Sequence, residues 1–365
     1  MINFALSEDL LNDKQIVPRS IAAFLVERSL PINDESKLIF PKDNETMIKR
    51  KINILMLGGA KRVSLAEQLI RAGKELGVEV SIFSHELSEH EPIASVGQII
   101  VGSKYTEKGI DDEISHVIEC HGIDVVLPFI DPAIELAARV SRRHPDVFIP
   151  VSSEEVARAM FDKSLAAEWF ERAGIPIPTT YTPDNITYPA ILKPRTGSAS
   201  RGILVVENEE ELSRAPLPID EHLIQEYIAD RDAYTVDCYV GTTDGEVKCA
   251  VPRLRLATAG GEVIRTETCR IPAVMSLSER TLKELKFRGP VTLQFIFDRR
   301  KQRFLLMEVN PRLGGGVICS IMAGADIAKM ILEECEGMNA APCRVWRDGT
   351  LMTRYFKEVM FYKDK

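Results

Sequence analysis

The chain has 365 residues, a formal net charge of −8 at pH 7 and 45% hydrophobic residues. This length and balance fit a globular chain of two or three domains, and the acidity argues against a nucleic-acid binder, which would usually show a basic face. The seven cysteines form no CxxC pair, and no apolar run is long enough to cross a membrane, so we expect reduced thiols in a cytoplasmic protein.

Residues 1–50 form an N-terminal extension of unknown role. A short helical pattern at 21–30 is followed by a polar stretch with two prolines. We expect this extension to pack either on the first domain or on a second subunit. A homodimer is therefore one of two open alternatives.

Residues 51–150 alternate between strand and helix patterns. We predict strands at 51–59, 78–83, 97–102 and 123–130, and helices at 64–76, 111–121 and 132–143. Such alternation predicts a parallel, doubly wound, Rossmann-like sheet.

Two features of this domain could bind a ligand. Gly58 and Gly59 resemble the start of a dinucleotide fingerprint, but Arg62 and Val63 stand where a later glycine is needed, which disfavours a nicotinamide cofactor. Asp131 follows the last strand at the edge where such sheets bind ligands, or it caps the next helix. The sequence leaves both roles of Asp131 open.

Residues 188–206 predict a hairpin that carries a buried lysine. The first strand runs into Lys193, and Pro194 ends it. The small residues at 196–202 could lay backbone N–H groups over phosphates. This is not a Walker A loop, because the lysine precedes the glycines and no helix follows. A surface hairpin without a ligand is the alternative.

Upstream of this hairpin, Lys163 begins a helix after the capping residue Asp162. A lysine in the first helical turn opposes the helix dipole. The side chain therefore either meets an anion or remains solvated.

Residues 289–310 predict a second, antiparallel hairpin with a charged turn at 298–302. The predicted register pairs Leu293 with Val309, Phe295 with Met307, and Phe297 with Leu305. It places Gln294 opposite Glu308, with Asn310 on the same face. Three oxygen-bearing side chains on an otherwise apolar sheet favour a divalent cation. An ion pair between Glu308 and a nearby basic residue is the alternative.

Three arginines in residues 252–267 are candidates to hold anionic groups of a substrate: Arg253, Arg255 and Arg265. The alternation of an extended chain places Arg253 and Arg255 on one face. Two like charges side by side repel unless an anion lies between them. A solvated strand face is the alternative.

Taken together in chain order, these motifs resemble an ATP-grasp ligase. The ordered set comprises Lys163, Lys193 with its glycine loop, residues 225–228, Gln294, Glu308, Asn310 and Arg312. The chain is similar to the large subunit of carbamoyl phosphate synthetase and to single-chain ligases that resemble it, over roughly residues 51–365. The resemblance implies an α/β chain with an α+β ATP-grasp module. A Rossmann-like pre-ATP-grasp domain at 51–150 would precede a two-lobed ATP-grasp domain at 151–365, with lobes at about 178–230 and 231–365.

The resemblance also implies roles for individual residues. The nucleotide would be bound by Lys163, Lys193, Gly197, Ser198, Gly202, Gln225, Glu226, Tyr227, Ile228 and Asp232. The ion, Mg²⁺ or Mn²⁺, would be bound by Gln294, Glu308 and Asn310. The catalytic set would contain Arg312 at the transferred phosphoryl group and Lys193 at the ATP phosphates. Arg253 and Arg255 join this set as the candidate substrate arginines of the strand pattern. Ala233 stands where the family often has an acidic residue, and this leaves the ribose contact of Asp232 open.

The implied activity joins a carboxylate to an amine. A small carboxylate would attack ATP and form an acyl phosphate, and an amine or similar nucleophile would then displace phosphate. An ATP-binding regulator without turnover is the alternative. Substrate-dependent ADP release separates the two.

Overall fold

A computed structural model describes residues 50–197, 201–215 and 218–362. The predicted extension at 1–50 lies outside the described residues except for Arg50. Ser198 of the predicted glycine loop lies outside them as well. The described part contains three β-sheets.

The first sheet contains β1 (Lys51–Leu57), β2 (Glu79–Glu86), β3 (Gln98–Val101) and β4 (Val125–Pro128). These strands are parallel, in the order β3-β2-β1-β4. The helices between and after them are α1 (Val63–Leu76), α2 (Ile110–His121) and α3 (Asp131–Arg143). Alternate residues of β1 pack towards α1 on one face and towards α2 and α3 on the other. Both faces of the sheet are therefore covered, which explains the continuous apolar pattern of β1.

Two helices, α4 (Glu154–Phe161) and α5 (Lys163–Arg172), lead into the second sheet. This sheet contains β5 (Thr180–Tyr181), β6 (Ala190–Pro194), β7 (Leu204–Val206) and β8 (His222–Glu226), with α6 (Glu209–Arg214) between β7 and β8. Its strands are antiparallel, in the order β5-β8-β6-β7. Asp162 caps α5, because its Oδ1 accepts hydrogen bonds from the N–H groups of Ser164 (2.9 Å) and Leu165 (3.2 Å).

The third sheet is antiparallel and has the order β13-β12-β9-β10-β11-β14. Its strands are β9 (Arg231–Val240), β10 (Val247–Ala259), β11 (Glu262–Thr268), β12 (Gly289–Asp298), β13 (Arg303–Asn310) and β14 (Leu351–Thr353). Three helices, α7 (Pro272–Glu284), α8 (Val317–Met322) and α9 (Ile327–Cys335), belong to the same region. Residues of α8 and α9 share a core with α1 and β1, so the first and third sheets meet across one apolar layer.

The predicted hairpin register is right at its inner end and wrong at its outer end. Leu293 pairs with Val309, and Gln294 pairs with Glu308. A β-bulge at Met307 then shifts the pairing, and Phe295 lies opposite Leu306 instead of Met307. A bulge leaves one residue unpaired and reverses the faces that follow it. As a result Met307 and Glu308 both line the same cavity.

Within the described residues, no helix combines the length and the apolar character needed to cross a bilayer.

Candidate active site

A cavity of about 400 Å³ opens between the second and third sheets. Its charged and polar lining comes from both sides and comprises Lys163, Lys193, Thr196, Arg201, Arg231, Arg255, Thr258, Gln294 and Glu308. Five cationic side chains thus line the same cavity as one carboxylate and one amide. This is an excess of positive charge inside a partly enclosed space.

The oxygen-bearing residues of the hairpin meet as the sequence predicts. Glu308 Oε1 accepts a hydrogen bond of 3.0 Å from Asn310 Nδ2, and Gln294 lies directly across from Glu308. Asn310 Oδ1 accepts a hydrogen bond of 3.0 Å from Arg312 Nη2. Thr292 Oγ1 donates to the backbone carbonyl of Arg312 over 2.9 Å and so fixes the loop that follows β13. These contacts link the predicted metal-site residues and Arg312 in one network.

The chemistry of this set fits a hard divalent cation. One carboxylate and two amide oxygens are ligands that Mg²⁺ and Mn²⁺ accept. Among the described residues, no group of three or more His, Cys, Asp or Glu side chains could hold a metal ion by itself. Glu308 alone would therefore supply negative charge, and the other charged ligands would have to come from nucleotide phosphates.

Lys193 is buried, and its Nζ donates a hydrogen bond of 2.9 Å to Gln225 Oε1. Burial is the main reason that the pKa of Lys193 is lowered to about 8, while Glu308 partly opposes this shift. The nearby cations Lys163 and Arg231 lower the pKa further. An anion in the cavity would therefore favour the charged form of this lysine.

The start of the glycine loop lies against α5. Lys163 Nζ donates a hydrogen bond of 2.7 Å to the carbonyl oxygen of Gly197. At the far end of the loop, Gly202 has a φ of 73°, and a Cβ there would lie 2.9 Å from Pro194 Cγ. Both observations explain why a glycine is needed at 202.

Residues 225–228, which the resemblance assigns to nucleotide binding at the adenine base, include one unused backbone donor. The N–H of Glu226 donates to Thr179 O over 2.9 Å, and that of Tyr227 to Pro189 O over 3.2 Å. Ile228 lies outside the helices and strands, and its N–H donates no hydrogen bond to the backbone of the described residues. The side chain of Ile228 packs in a small apolar cluster with Ile296 and Leu305, beside Met307. This arrangement offers a flat base an apolar contact surface and a hydrogen-bond donor.

The side chains of Glu226 and Asp232 are engaged elsewhere. Glu226 forms ion pairs with Arg303 (2.7 Å) and Lys301 (3.3 Å). Asp232 accepts a hydrogen bond of 2.9 Å from Arg299 Nε at the turn after β12. The side chain of Glu226 is thus occupied by these ion pairs, and the predicted ribose contact of Asp232 would require its pair with Arg299 to open.

The two predicted substrate arginines have different environments. Arg255 is half-buried, and its Nη1 lies 3.4 Å from Gln294 Oε1 in the cavity. Arg253 is fully buried and forms two hydrogen bonds to Asp237, of 2.6 Å from Nε and 3.1 Å from Nη2. The inference that Arg253 binds a substrate is therefore corrected. The anion that Arg253 binds is a carboxylate of the protein itself, Asp237.

Sequence reasoning missed three basic residues near the site. Arg231 lines the cavity, and its guanidinium lies 5.1 Å from the centre of the Tyr227 ring. Arg62 and Arg354 lie beside Gly315, in the loop after Arg312. No pattern in the sequence marks these three, because each reaches the site from a separate part of the chain.

The backbone N–H groups of the loop after β1 already bind a carboxyl group of the protein. Glu86, at the end of β2, accepts a hydrogen bond of 2.6 Å from Ser84 Oγ and also lies against the backbone N–H groups of Gly59 and Ala60. Burial raises the pKa of this carboxyl group. A dinucleotide phosphate would need the same backbone groups, which agrees with the poor fingerprint at Gly58.

Comparison with known proteins agrees with this geometry. A family model described as ATP-grasp in the biosynthetic pathway with Ter operon matches residues 219–357, which include β8 to β14. Biotin carboxylase 1 from Bacillus subtilis (strain 168) is 24% identical over 318 residues, which is 76% of this chain and 70% of that protein. By the family-model match, residues 219–357 of the chain resemble the ATP-grasp family. The matched region contains Gln294, Glu308, Asn310 and Arg312, the group that β12 and β13 bring together.

Solved structures share the fold over most of this chain. The biotin carboxylase domain of Hydrogenobacter thermophilus 2-oxoglutarate carboxylase, in complex with MgADP, ADP and bicarbonate, has a TM-score of 0.64 and 20% identity. The match covers 81% of this chain and 71% of that one. N5-carboxyaminoimidazole synthetase from Staphylococcus aureus has a TM-score of 0.65 and 16% identity, with 81% and 80% covered.

Proposed function

We propose that this protein is an ATP-dependent ligase that activates a small carboxylate as an acyl phosphate and transfers the acyl group to an amine. One observation carries the proposal. Gln294 and Glu308 are cross-strand neighbours, and they face Lys193 and Arg255 across one cavity. Candidate metal ligands beside lysine and arginine side chains suit a nucleoside triphosphate and its divalent ion.

The nucleotide would lie in the cavity between the second and third sheets. Lys163, Lys193 and the loop from Gly197 to Gly202 would contact its phosphates, and the segment 225–228 would contact its base. Gln294, Glu308 and Asn310 would hold Mg²⁺ or Mn²⁺. The similar biotin carboxylase domain was solved with MgADP and bicarbonate, which supports a nucleotide, magnesium and a small oxyanion here. We assign residues 51–150 to a Rossmann-like pre-ATP-grasp domain and residues 151–365 to the ATP-grasp domain, with lobes at about 178–230 and 231–365.

The reaction would take place in two steps. A carboxylate oxygen of the substrate forms a bond to the γ-phosphorus, the bond to the β–γ bridging oxygen breaks, and ADP leaves. The amine then attacks the acyl carbon, inorganic phosphate leaves, and the amine gives up a proton. The bound cation would neutralise charge on the phosphates. Lys193, Arg255 and Arg312 would position the phosphoryl group and stabilise its charge.

The test is ADP formation with a panel of small carboxylates and amines, with purified protein, ATP and magnesium. The ligase proposal predicts that ADP rises only when a suitable carboxylate is present. An ATP-binding regulator would bind the nucleotide and give no stimulated ADP with any pair. Nucleotide binding without stimulation across a broad panel would therefore favour the regulator. The cytoplasmic location and the homodimer stay predictions.

A further inference from the structure

Three arginines from distant parts of the chain converge on Gly315, and we call Arg62, Arg312 and Arg354 the arginine cluster. A Cβ placed on Gly315 would lie 2.9 Å from Arg62 Nη1 and 3.3 Å from Arg354 Nη2. Arg354 Nη2 donates a hydrogen bond to the carbonyl oxygen of Gly315. Arg312 lies close enough to Arg62 for its charge to lower the pKa of Arg62, so all three guanidinium groups occupy one region.

Two carboxylates face the arginine cluster, and they satisfy it only in part. Glu262 Oε2 accepts a hydrogen bond of 2.8 Å from Arg354 Nη1, but its Oε1 lies 3.7 Å from Arg62 Nη2. Asp131 Oδ1 also lies 3.7 Å from Arg312 Nε. Distances of 3.7 Å are too long for hydrogen bonds. Three positive charges therefore meet two negative ones, with only one close pair.

Within the described ranges, Arg312 has a buried donor without a hydrogen-bond partner, and Arg62 has partly exposed donors without one. Arg312 Nε is buried and has no hydrogen-bond partner among the described residues. The Arg62 side chain is 17% exposed, and none of its donors makes a hydrogen bond to the described part of the chain. A buried donor without a hydrogen bond destabilises the folded structure. Burial is the main reason that the pKa of Arg62 is lowered, and Arg312 and Arg354 also lower it while Glu262 opposes them. A bound anion would relieve each of these costs.

A second cavity, of about 390 Å³, lies on the first-domain side of the arginine cluster. Arg62 and Glu262 line it, together with Lys61, Lys104, Ile130 and Pro132. Arg312 bonds to Asn310 at the predicted metal site through Nη2, and its Nε points towards Asp131. Arg312 thus connects the phosphoryl-transfer site with the region of Arg62.

We propose that Arg62 and Arg354 form a subsite for a second anionic group of the substrate, either a carboxylate or a phosphate, apart from the carboxylate that is activated. This inference rests on the proposed function. Guanidinium groups bind both kinds of group through paired hydrogen bonds. Glu262 holds Arg354 in place when no substrate is bound.

The experiment measures binding without turnover. Wild-type protein is saturated with a magnesium complex of a non-hydrolysable ATP analogue, so that the nucleotide site is filled. Three ligands are then titrated by calorimetry: succinate, butyrate and 3-phosphoglycerate. Succinate and butyrate have the same number of carbons and differ in one carboxylate, and 3-phosphoglycerate carries a phosphate instead.

We expect at least one dianion to bind about tenfold or more tighter than butyrate, which is about 1.4 kcal/mol. Succinate alone would indicate a second carboxylate, and 3-phosphoglycerate alone a phosphate. Arg62→Ala and Arg354→Ala should each remove this preference. Arg142→Ala should retain it, since that variant also loses one charge and one ion pair, with Glu154, on the surface of α3.

The proposal is overturned if neither dianion binds better than butyrate, or if the preference survives in both variants. Should Arg62→Ala fail to fold, Arg62→Lys keeps the charge without the paired donors and should weaken dianion binding while butyrate binding stays the same. Failure of the ligase proposal would appear as absent ADP formation and leave this binding result intact. Substrate-dependent ADP formation together with tighter binding of butyrate would support the ligase proposal and reject only the subsite proposal.

Discussion

Arg253 and Arg255 are two residues apart on the same face of β10, yet the two ends of this face have different roles. At the inner end, Arg253 is paired with Asp237, whose Oδ2 also accepts a hydrogen bond of 2.6 Å from Ser320 Oγ. At the outer end, Arg255 faces Gln294 and Glu308 in an open cavity. The guanidinium group of Arg253 is buried with its hydrogen-bond partners, and that of Arg255 is accessible to a ligand.

The difference shows how to separate structural charges from functional ones in this sheet. A buried charge with a matched partner and complete hydrogen bonds stabilises one conformation, and its partner is costly to remove. A charged group that lacks such a partner can bind a ligand instead. We therefore expect changes at the inner end to affect unfolding and changes at the outer end to affect turnover.

The largest expected effect is on turnover, at the outer end. Glu308→Gln removes the one carboxylate of the proposed metal site but keeps nearly the same shape. We expect substrate-dependent ADP formation to fall by about three orders of magnitude, consistent with the loss of a preorganised charge, and the unfolding midpoint in urea to stay the same. Glu279→Gln, a surface change at the Arg344 ion pair, is the control. Full activity of Glu308→Gln would make Glu308 a structural ion-pair partner.

The next effect is on stability, at the inner end. Asp237→Ala leaves the fully buried Arg253 without its counter-charge, which should lower the free energy of unfolding by about 3–5 kcal/mol. Urea denaturation measures this loss. Asp232→Asn breaks a surface pair with Arg299 and should cost less than about 1 kcal/mol. A loss below 1 kcal/mol in Asp237→Ala would show that the inner pair does not stabilise the sheet.

A conservative change separates the two arginines. Arg255→Lys should lower kcat/KM about tenfold, or about 1.4 kcal/mol, because a lysine cannot reproduce the planar fork of an arginine. Its unfolding midpoint should stay near that of the wild type. Arg253→Lys should show the reverse, with a lower midpoint and smaller kinetic losses among the molecules that remain folded. Equal kinetic losses in both variants would remove the distinction between the two ends.

The smallest expected effect is the change of nucleotide affinity with pH. The pKa of Lys193 is about 8 in the free protein, so the lysine loses its charge as the pH rises through that value. Phosphates favour the charged form, and binding above this pH must therefore take up a proton. Affinity for the magnesium–ATP analogue should fall about fourfold between about pH 7 and about pH 8.5. Calorimetry in two buffers of different ionisation enthalpy measures the uptake.

Lys193→Arg supplies the matched control for this pH dependence, because an arginine stays charged throughout the range. Its affinity should be nearly constant between the two pH values. A wild-type affinity that does not change with pH, or a proton release on binding, would contradict the assigned state of Lys193.

Much of the fold and part of the site could be predicted from the sequence. The strands and helices of the first sheet follow from its alternating pattern, and the pairing of Gln294 with Glu308 follows from the inner half of the hairpin. The bulge at Met307 could not be predicted, because both registers keep apolar residues on the core face. The position of Met307 in the cavity depends on that bulge.

The structural role of Arg253 is set by a residue in another strand. Asp237 lies within an apolar run of β9, and an acidic residue there signals that a partner is needed. The sequence does not say which basic residue that partner is, since β9 and β10 must pair before Asp237 can meet Arg253. Arg62 and Arg354 carry no such signal, because only the packing of the first and third sheets brings them to Gly315.

The central claim is that a substrate carboxylate attacks the γ-phosphoryl group of ATP. The most direct test uses the carboxylate that stimulates ADP formation best, labelled with ¹⁸O in its carboxyl group. An acyl phosphate intermediate predicts that each phosphate released during amide formation carries one ¹⁸O atom from the substrate. Unlabelled phosphate, formed in step with ADP, would show that water attacks ATP directly and would contradict the ligase mechanism.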